Sequence, residues 1–386
     1  TENIRYDGSL KASVILKDLA PFVPALSRFE EPLDLNLVFS GHGKHLDCPT
    51  LRLTNHHGLM IAGEAALSNW DAGMDMYIYG KLGNLTMTKE GINVLMTNLT
   101  GKVPPILQRL DYIRFNGEAA GYLHDLTLTG LFHTGAGMVK TDVMMSIDEQ
   151  SMSRTYSGSV ASADLDLGKL LNQEKKFGKV DFNVELKGFN YKNRYPESYI
   201  KGIISSFEYS QYQYENIMLD GVYKDGGFNG RLSMDDANGS VQIDGNFNVA
   251  KTIPDFNLKA SVKNLRPHDL HLSDKYENAS ISLGLTADFT GKSIDDMNGR
   301  ISLDSLQLNA PDEGGCFLDN LTITAGQVSG EKELRINSSF MTAVIRGDYS
   351  YHTIPASVVK TVQRYIPSLL TIKDNMPEPH NNFQFD

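Results

Sequence analysis

NLKASVKNLRPHDLHLSDKYENASISLGLTADFTGKSIDDMNGRISLDSLQL, Asn257–Leu308, is the stretch whose reading decides the fold. It reads as strand, short irregular or helical link, strand, turn, strand. The middle strand is the clearest: Ile281, Leu283, Leu285, Ala287 and Phe289 alternate with Ser280, Ser282, Gly284, Thr286 and Asp288. Successive side chains of a strand point to opposite faces, so this segment carries one apolar and one polar face. Ile301 and Leu303 continue the pattern after the Asp295-Asp296 turn.

The same habit recurs along the chain. Leu33, Leu35, Leu37 and Phe39 alternate with Asp34, Asn36, Val38 and Ser40; Val180, Phe182, Val184 and Leu186 alternate with Asp181, Asn183, Glu185 and Lys187. Asp225-Gly226-Gly227, Asn238-Gly239, Asp244-Gly245-Asn246 and Asn298-Gly299 read as turns, because these residues accept positive φ or bond their own backbone. Turns at roughly 8–16 residue intervals indicate an all-β protein. Short helices are expected between strands, at Lys17–Phe29, Val103–Ile113, Leu165–Phe177, Leu265–Tyr276 and Ile354–Leu370.

Together these read as one internal repeat. SLKASV (Ser9–Val14) and NLKASV (Asn257–Val262) match almost letter for letter, and SVASADLDLGKLL (Ser159–Leu171) is a third copy. Each leads through a link into an alternating strand. The expected architecture is a mostly β, elongated array, a curled antiparallel sheet with a few short helices between repeats. Approximate units are 1–85, 86–158, 159–256, 257–350 and 351–386. The chain opens at Thr1 without a leader pattern, which reads as a processed protein or a piece of a longer one.

Composition excludes several function classes. The chain has 386 residues and a formal net charge of −11, the wrong sign for nucleic-acid phosphates or an anionic membrane surface. No apolar run is long enough for a membrane span. Its two cysteines, Cys48 and Cys316, make no disulfide framework. His42, His45 and Cys48 form H-x-x-H-x-x-C beside His56 and His57, and these are zinc-ligand types. Spaced by three, however, they fall on alternate faces of a strand, and they read as surface or turn residues. The carboxylate pairs Asp71/Asp75, Asp164/Asp166, Asp235/Asp236 and Asp295/Asp296 sit at turn signals, where Asp is the default residue. No nucleophile elbow or phosphate-cradling glycine loop occurs. Neither a catalytic residue, a metal nor a cofactor is expected. Tyr209, Tyr212 and Tyr214, with Trp70 the only tryptophan, could form a sugar platform; the alternation over Phe207–Tyr214 reads more simply as a strand with packed aromatic rings.

The remaining signal is the apolar stripe. It is either a sealed core or the lining of an open trough for lipid acyl chains. FNGEAAGYLHDLTLTGLFHTGAGMVKTDVMM (Phe115–Met145), the copies around Leu165–Gly188, NGRISLDSLQL and the YIP of Tyr365–Pro367 resemble the AsmA-like/TamB family of bacterial envelope proteins, particularly those of the Bacteroidetes type. The resemblance implies a repeating β-groove with a hydrophobic inner face. It further implies a place in the periplasm of a Gram-negative bacterium, an inner-membrane anchor outside this stretch, phospholipid transport to the outer membrane, and an outer-membrane barrel partner of the Omp85 class.

The expected groove residues are Leu33, Leu35, Leu37, Phe39, Val180, Phe182, Val184, Leu186, Ile281, Leu283, Leu285, Phe289, Ile301 and Leu303. Three readings follow: a lipid conduit, a scaffold offering strand edges to assembling outer-membrane barrels, and a closed β-helix that binds or degrades polysaccharide.

Overall fold

The computed structural model describes residues 4–19, 27–148, 150–151, 153–190, 197–274, 277–292, 294–311, 314–350 and 382–385. The protein is mostly β, built from antiparallel strands with few short helices, and it forms two compact units, Thr1–Leu219 and Asp220–Asp386.

The first unit contains β1 (Arg5–Ile15), β2 (Pro32–His42), β3 (His45–Thr54), β4 (Leu59–Ser68), β5 (Tyr77–Thr88), β6 (Tyr112–Tyr122), β7 (Asp125–Thr134), β8 (Gly137–Asp148), β9 (Ser153–Asp166), β10 (Phe177–Asn190) and β11 (Glu197–Tyr209). Each strand from β1 to β11 pairs antiparallel with the next in sequence. Such a meander needs only short connections, because each strand returns beside the one before it. The boundary between the units falls within β12 (Tyr212–Lys224).

The second unit repeats the meander. Its strands are β13 (Gly227–Asp236), β14 (Gly239–Asn248), β15 (Asp255–Leu265), β16 (Ser280–Thr290), β17 (Asn298–Asn309), β18 (Cys316–Val328), β19 (Glu331–Ser338), β20 (Thr342–Asp348) and β21 (Asn382–Phe385).

The three similar sequence segments occupy equivalent places. β1 pairs with β2 as Leu10↔Leu37, Ala12↔Leu35 and Val14↔Leu33. β9 pairs with β10 as Val160↔Val184, Ser162↔Phe182 and Leu165↔Val180. β15 pairs with β16 as Ala260↔Leu285 and Val262↔Leu283. In each case a strand and its post-link partner bury one alternating face against each other.

The helices differ from expectation. The longest described helix is α1 (Lys89–Thr100), a segment without a clean sequence signal. Thr88 caps it, its hydroxyl accepting from the Gly91 N–H, and Gly101 ends it in the left-handed region at φ 78°. Val103–Ile113 shrinks to α2 (Pro105–Gln108), because Tyr112 and Ile113 already belong to β6. Leu165–Phe177 shrinks to α3 (Leu167–Leu171), capped by Asp166, since β9 runs through Asp166 and Asn172 takes φ 57°. Lys17–Phe29 contributes only a 3-10 turn at Leu16–Leu19 before the stretch outside the described residues. Over 266–273 there are turns, with Leu272 and Ser273 N–H both bonded to the Pro267 carbonyl, where a helix was expected. Ile354–Leu370 lies outside the described residues.

Two turn signals are also strand interiors. Gly245 (φ 147°) sits within β14 and Gly299 (φ 143°) within β17, extended conformations that L side chains avoid. By contrast, Asp225 (φ 53°) and Gly226 (φ 76°) make the expected tight hairpin. Phe207–Tyr214 likewise folds as a hairpin rather than one strand, with Ser210 and Gln211 at φ 50° and 66°.

The best-packed cluster lies at one end of the first unit's strands. Ile92 of α1, Leu110, Ile113, Ala136, Leu165 and Val180 are buried together, with Met96, Leu107, Leu167 and Leu170 packed around them. A second cluster in the other unit joins Ala325, Leu334, Ile345 and Tyr349.

Candidate functional site

Directly opposed residues in an antiparallel pair share a face, so strand register converts the alternation of each strand into rows. In the first unit one row runs Ala12, Leu35, Leu53, Ile61, Leu85, Phe115, Phe132, Val139, Ser162, Phe182 and Ile204. It crosses all of β1–β11 with one polar member. A neighbouring row runs Leu10, Leu37, Leu51, Gly63, Leu82, Gly117, Gly130, Thr141, Val160, Val184 and Gly202. Here glycines replace bulk, and at Gly117 and Gly130 the ring of Phe115 occupies their space.

The second unit has the same construction. One row is Phe228, Phe247, Phe256, Phe289, Gly299, Ala325, Leu334 and Ile345. Another is Gly230, Gly245, Leu258, Ala287, Ile301, Ile323, Ile336 and Ala343. The Phe256 and Phe289 rings stack with centroids 4.7 Å apart.

All fourteen residues singled out from sequence fall on these apolar faces. Leu33 and Val180 are buried, and the other twelve are half-buried. Phe39 and Leu283 sit at register shifts, each opposed on one side only, by Gly8 and Val262 respectively. The reverse faces carry exposed Asp34, Asn36, Asn183, Glu185, Lys187, Thr286 and Asp288.

Exposure distinguishes a sealed core from an accessible face. Phe247 is paired on both sides, yet it remains 38% exposed, and Leu10 is 42% exposed. Side chains inside a two-layer sandwich core would be covered. The sheet therefore presents apolar side chains that no described element covers.

Several lining residues carry no marked sequence signal. Leu53, Ile61, Leu85, Phe115, Phe132, Val139 and Ile204 join the same row as Leu35 and Phe182 only through register. The alternation of Leu51 with Leu53 and of Leu59 with Ile61 is the signal that could have found four of the residues on this face.

The polar candidates are occupied structurally. His45 Nδ1 lies 2.7 Å from Ser68 Oγ and Nε2 2.9 Å from Asp47. Burial pushes the Cys48 thiol up, away from the thiolate a metal needs. No group of three or more His, Cys, Asp or Glu among the described residues is placed to hold a metal. Asp71 pairs with Lys44 at 2.7 Å and Asp164 with Lys179 at 2.9 Å. Asp166 caps α3, Asp236 accepts from Asn238 N–H, and Asp295 accepts from Ser350. Tyr212 and Tyr214 pack edge-on at 4.8 Å, and Tyr214 is buried. No helix among the described residues is long and apolar enough to cross a membrane.

In comparisons with known proteins, no family model, no curated protein and no solved structure matches this chain.

Proposed function

We propose that this chain is a non-enzymatic lipid-transfer groove that carries phospholipid acyl chains along its apolar sheet face. The observation that carries the reading is the apolar row of Ala12, Leu35, Leu53, Ile61, Leu85, Phe115, Phe132, Val139, Phe182 and Ile204, half-buried at every one of these positions but the buried Phe115 and broken only by Ser162. Each methylene buried contributes about 0.8 kcal/mol, so a long acyl chain crosses water only at great cost. A row of aliphatic and phenyl groups without a head-group lock lets the chain slide between equivalent positions. The sequence's resemblance to the AsmA-like/TamB family supports a site of action in the periplasm of a Gram-negative bacterium. The membranes there are reached through regions outside this stretch, with an Omp85-class barrel as partner.

Native mass spectrometry of the purified chain tests the reading. Phospholipid adducts are expected to survive gentle desolvation. A folded, lipid-free chain that takes up no added phospholipid would overturn the proposal.

One observation favours a second reading, an assembly scaffold. Among the described residues β1 pairs with β2 alone, leaving the other edge of Arg5–Ile15 to accept an incoming strand. Photo-crosslinkers on this edge would then capture barrel strands, whereas crosslinkers at Phe182 or Leu285 would capture lipid under the first reading.

A further inference from the structure

The α1 helix has two apolar sides with different fates. Ile92 and Met96, one turn apart, pack into the buried cluster of the first unit, and Ile92 is 1% exposed. Val94 and Leu95 instead face the end of β2–β4 and leave a pocket of about 140 Å³. Its other apolar walls are Leu16, Phe29, Leu33, Leu53, Leu59 and Ile61, with Glu31, Asn55 and Asn98 as the polar groups. Two of those polar groups already have partners. Asn55 Oδ1 accepts from the His57 and Leu59 N–H groups, and Glu31 Oε2, buried and accepting no hydrogen bond, has the His57 Nε2 2.9 Å away as its charge partner.

The pocket is partly open rather than sealed, and eight of its eleven lining side chains are apolar. An enclosed cavity of about 150 Å³ lined by Leu, Ile and Phe stays dry and accepts an apolar guest, and the apolar walls here offer the same kind of surface. Along the Leu, Ile, Val and Phe walls water gains few hydrogen bonds, which selects a guest made of methylenes there. The pocket is also continuous with the apolar face, because Leu53 and Ile61 line both.

We infer that the pocket beneath α1 is a discrete binding site for the methyl end of a single fatty acyl chain, with α1 as its cover. The inference rests on the lipid reading of the adjoining sheet face. It adds one tight, stoichiometric site to a surface that otherwise holds chains weakly and interchangeably.

Titration of the full chain with cis-parinaric acid, an 18-carbon fatty acid that fluoresces in apolar surroundings, tests the site. One high-affinity site per chain is expected, above a weaker class on the open face. Val94→Phe fills the pocket and should weaken the tight site about tenfold or more. Leu95→Ala enlarges it and should tighten binding at least about threefold. It adds no atoms and carries the test if the bulkier variant fails to fold. A tight site that responds to neither variant overturns the pocket. If weak binding is also lost in Phe182→Asp, the sheet face stands and the pocket falls. If the tight site responds to Val94→Phe but no weak class exists, the pocket stands and the open groove falls.

Discussion

The ring of Phe115 lies over Gly130. A Cβ built at Gly130 would sit 2.4 Å from Phe115 Cε2, and one at Gly117, the residue opposite Gly130, 2.6 Å from Phe115 Cζ. The missing side chains of two facing glycines thus make the space for one phenyl ring, which also meets Phe132 at 4.5 Å. The same device recurs where Tyr156 covers Gly188 and Phe39 covers Gly8. Gly130→Val should therefore destabilise the first unit by about 1–3 kcal/mol through overpacking. Thermal or urea unfolding checks this, and an unchanged midpoint would show that the ring moves aside freely.

Phe182 and Leu285 occupy apolar rows of the two units. A carboxylate there needs solvation that an acyl chain cannot supply. Phe182→Asp and Leu285→Asp should each reduce co-purified phospholipid while leaving the far-ultraviolet dichroism intact. Normal lipid content in both variants would remove these positions from the proposed path.

Ile92 is the most buried side chain among the described residues of α1, at 1% exposed. Ile92→Ala should cost about 2–5 kcal/mol, because the removed atoms leave a cavity that the sheet cannot close. Chemical unfolding gives the magnitude. Hydrogen exchange should show the loss first in α1 and at Leu110 and Ile113.

His57 joins three elements around the pocket. Its Nδ1 is 2.7 Å from Glu90 of α1 and its Nε2 2.9 Å from Glu31 before β2. The Glu90 hydrogen bond, aided by the charges of Glu31 and Glu90 and opposed by burial, raises its pKa above the ordinary value. A raised folded pKa means the stabilisation is fully present below about pH 6.5, the unfolded value. It is lost as pH rises through the higher folded value. The melting temperature of the wild type relative to His57→Gln should therefore be highest at pH 5.5–6 and converge towards pH 8, to within about a degree. Parallel profiles would dismiss this link.

Glu333 is a buried carboxylate between two guanidinium groups, 2.7 Å from Arg346 Nε and 3.1 Å from Arg335. The Arg346 hydrogen bond, then that of Arg335, holds its pKa below the usual carboxylate range. Its contribution is present above the unfolded value of about 4.3 and fades as pH falls through the lowered one. Glu333→Gln should lower the melting temperature at pH 7, and the difference should shrink below pH 4. Scanning calorimetry at the two pH values checks both statements.

The alternation of Ile281–Phe289, Leu33–Phe39 and Val180–Leu186 was enough to assign strand, face and antiparallel class. It was enough because period-2 burial is written in consecutive residues. The links were less legible. In α1, Gly91, Asn93, Thr97 and Asn98 are weak helix formers, so local propensity was silent, and packing of Ile92 and Met96 supplies what propensity lacks. Gly245 and Gly299 looked like turns because a glycine needed for a loop and one needed where a strand takes positive φ against its partner's backbone have the same letter.

By itself the sequence determined which side of each strand is apolar, since that depends only on neighbours along the chain. Tertiary structure alone decided that Leu35 shares a row with Phe115 and Phe182, and that Phe247 stays partly exposed. It also left an apolar pocket between α1 and Leu53. Register, coverage and voids depend on residues distant in sequence, and one residue of slip would turn an entire apolar row to the opposite face.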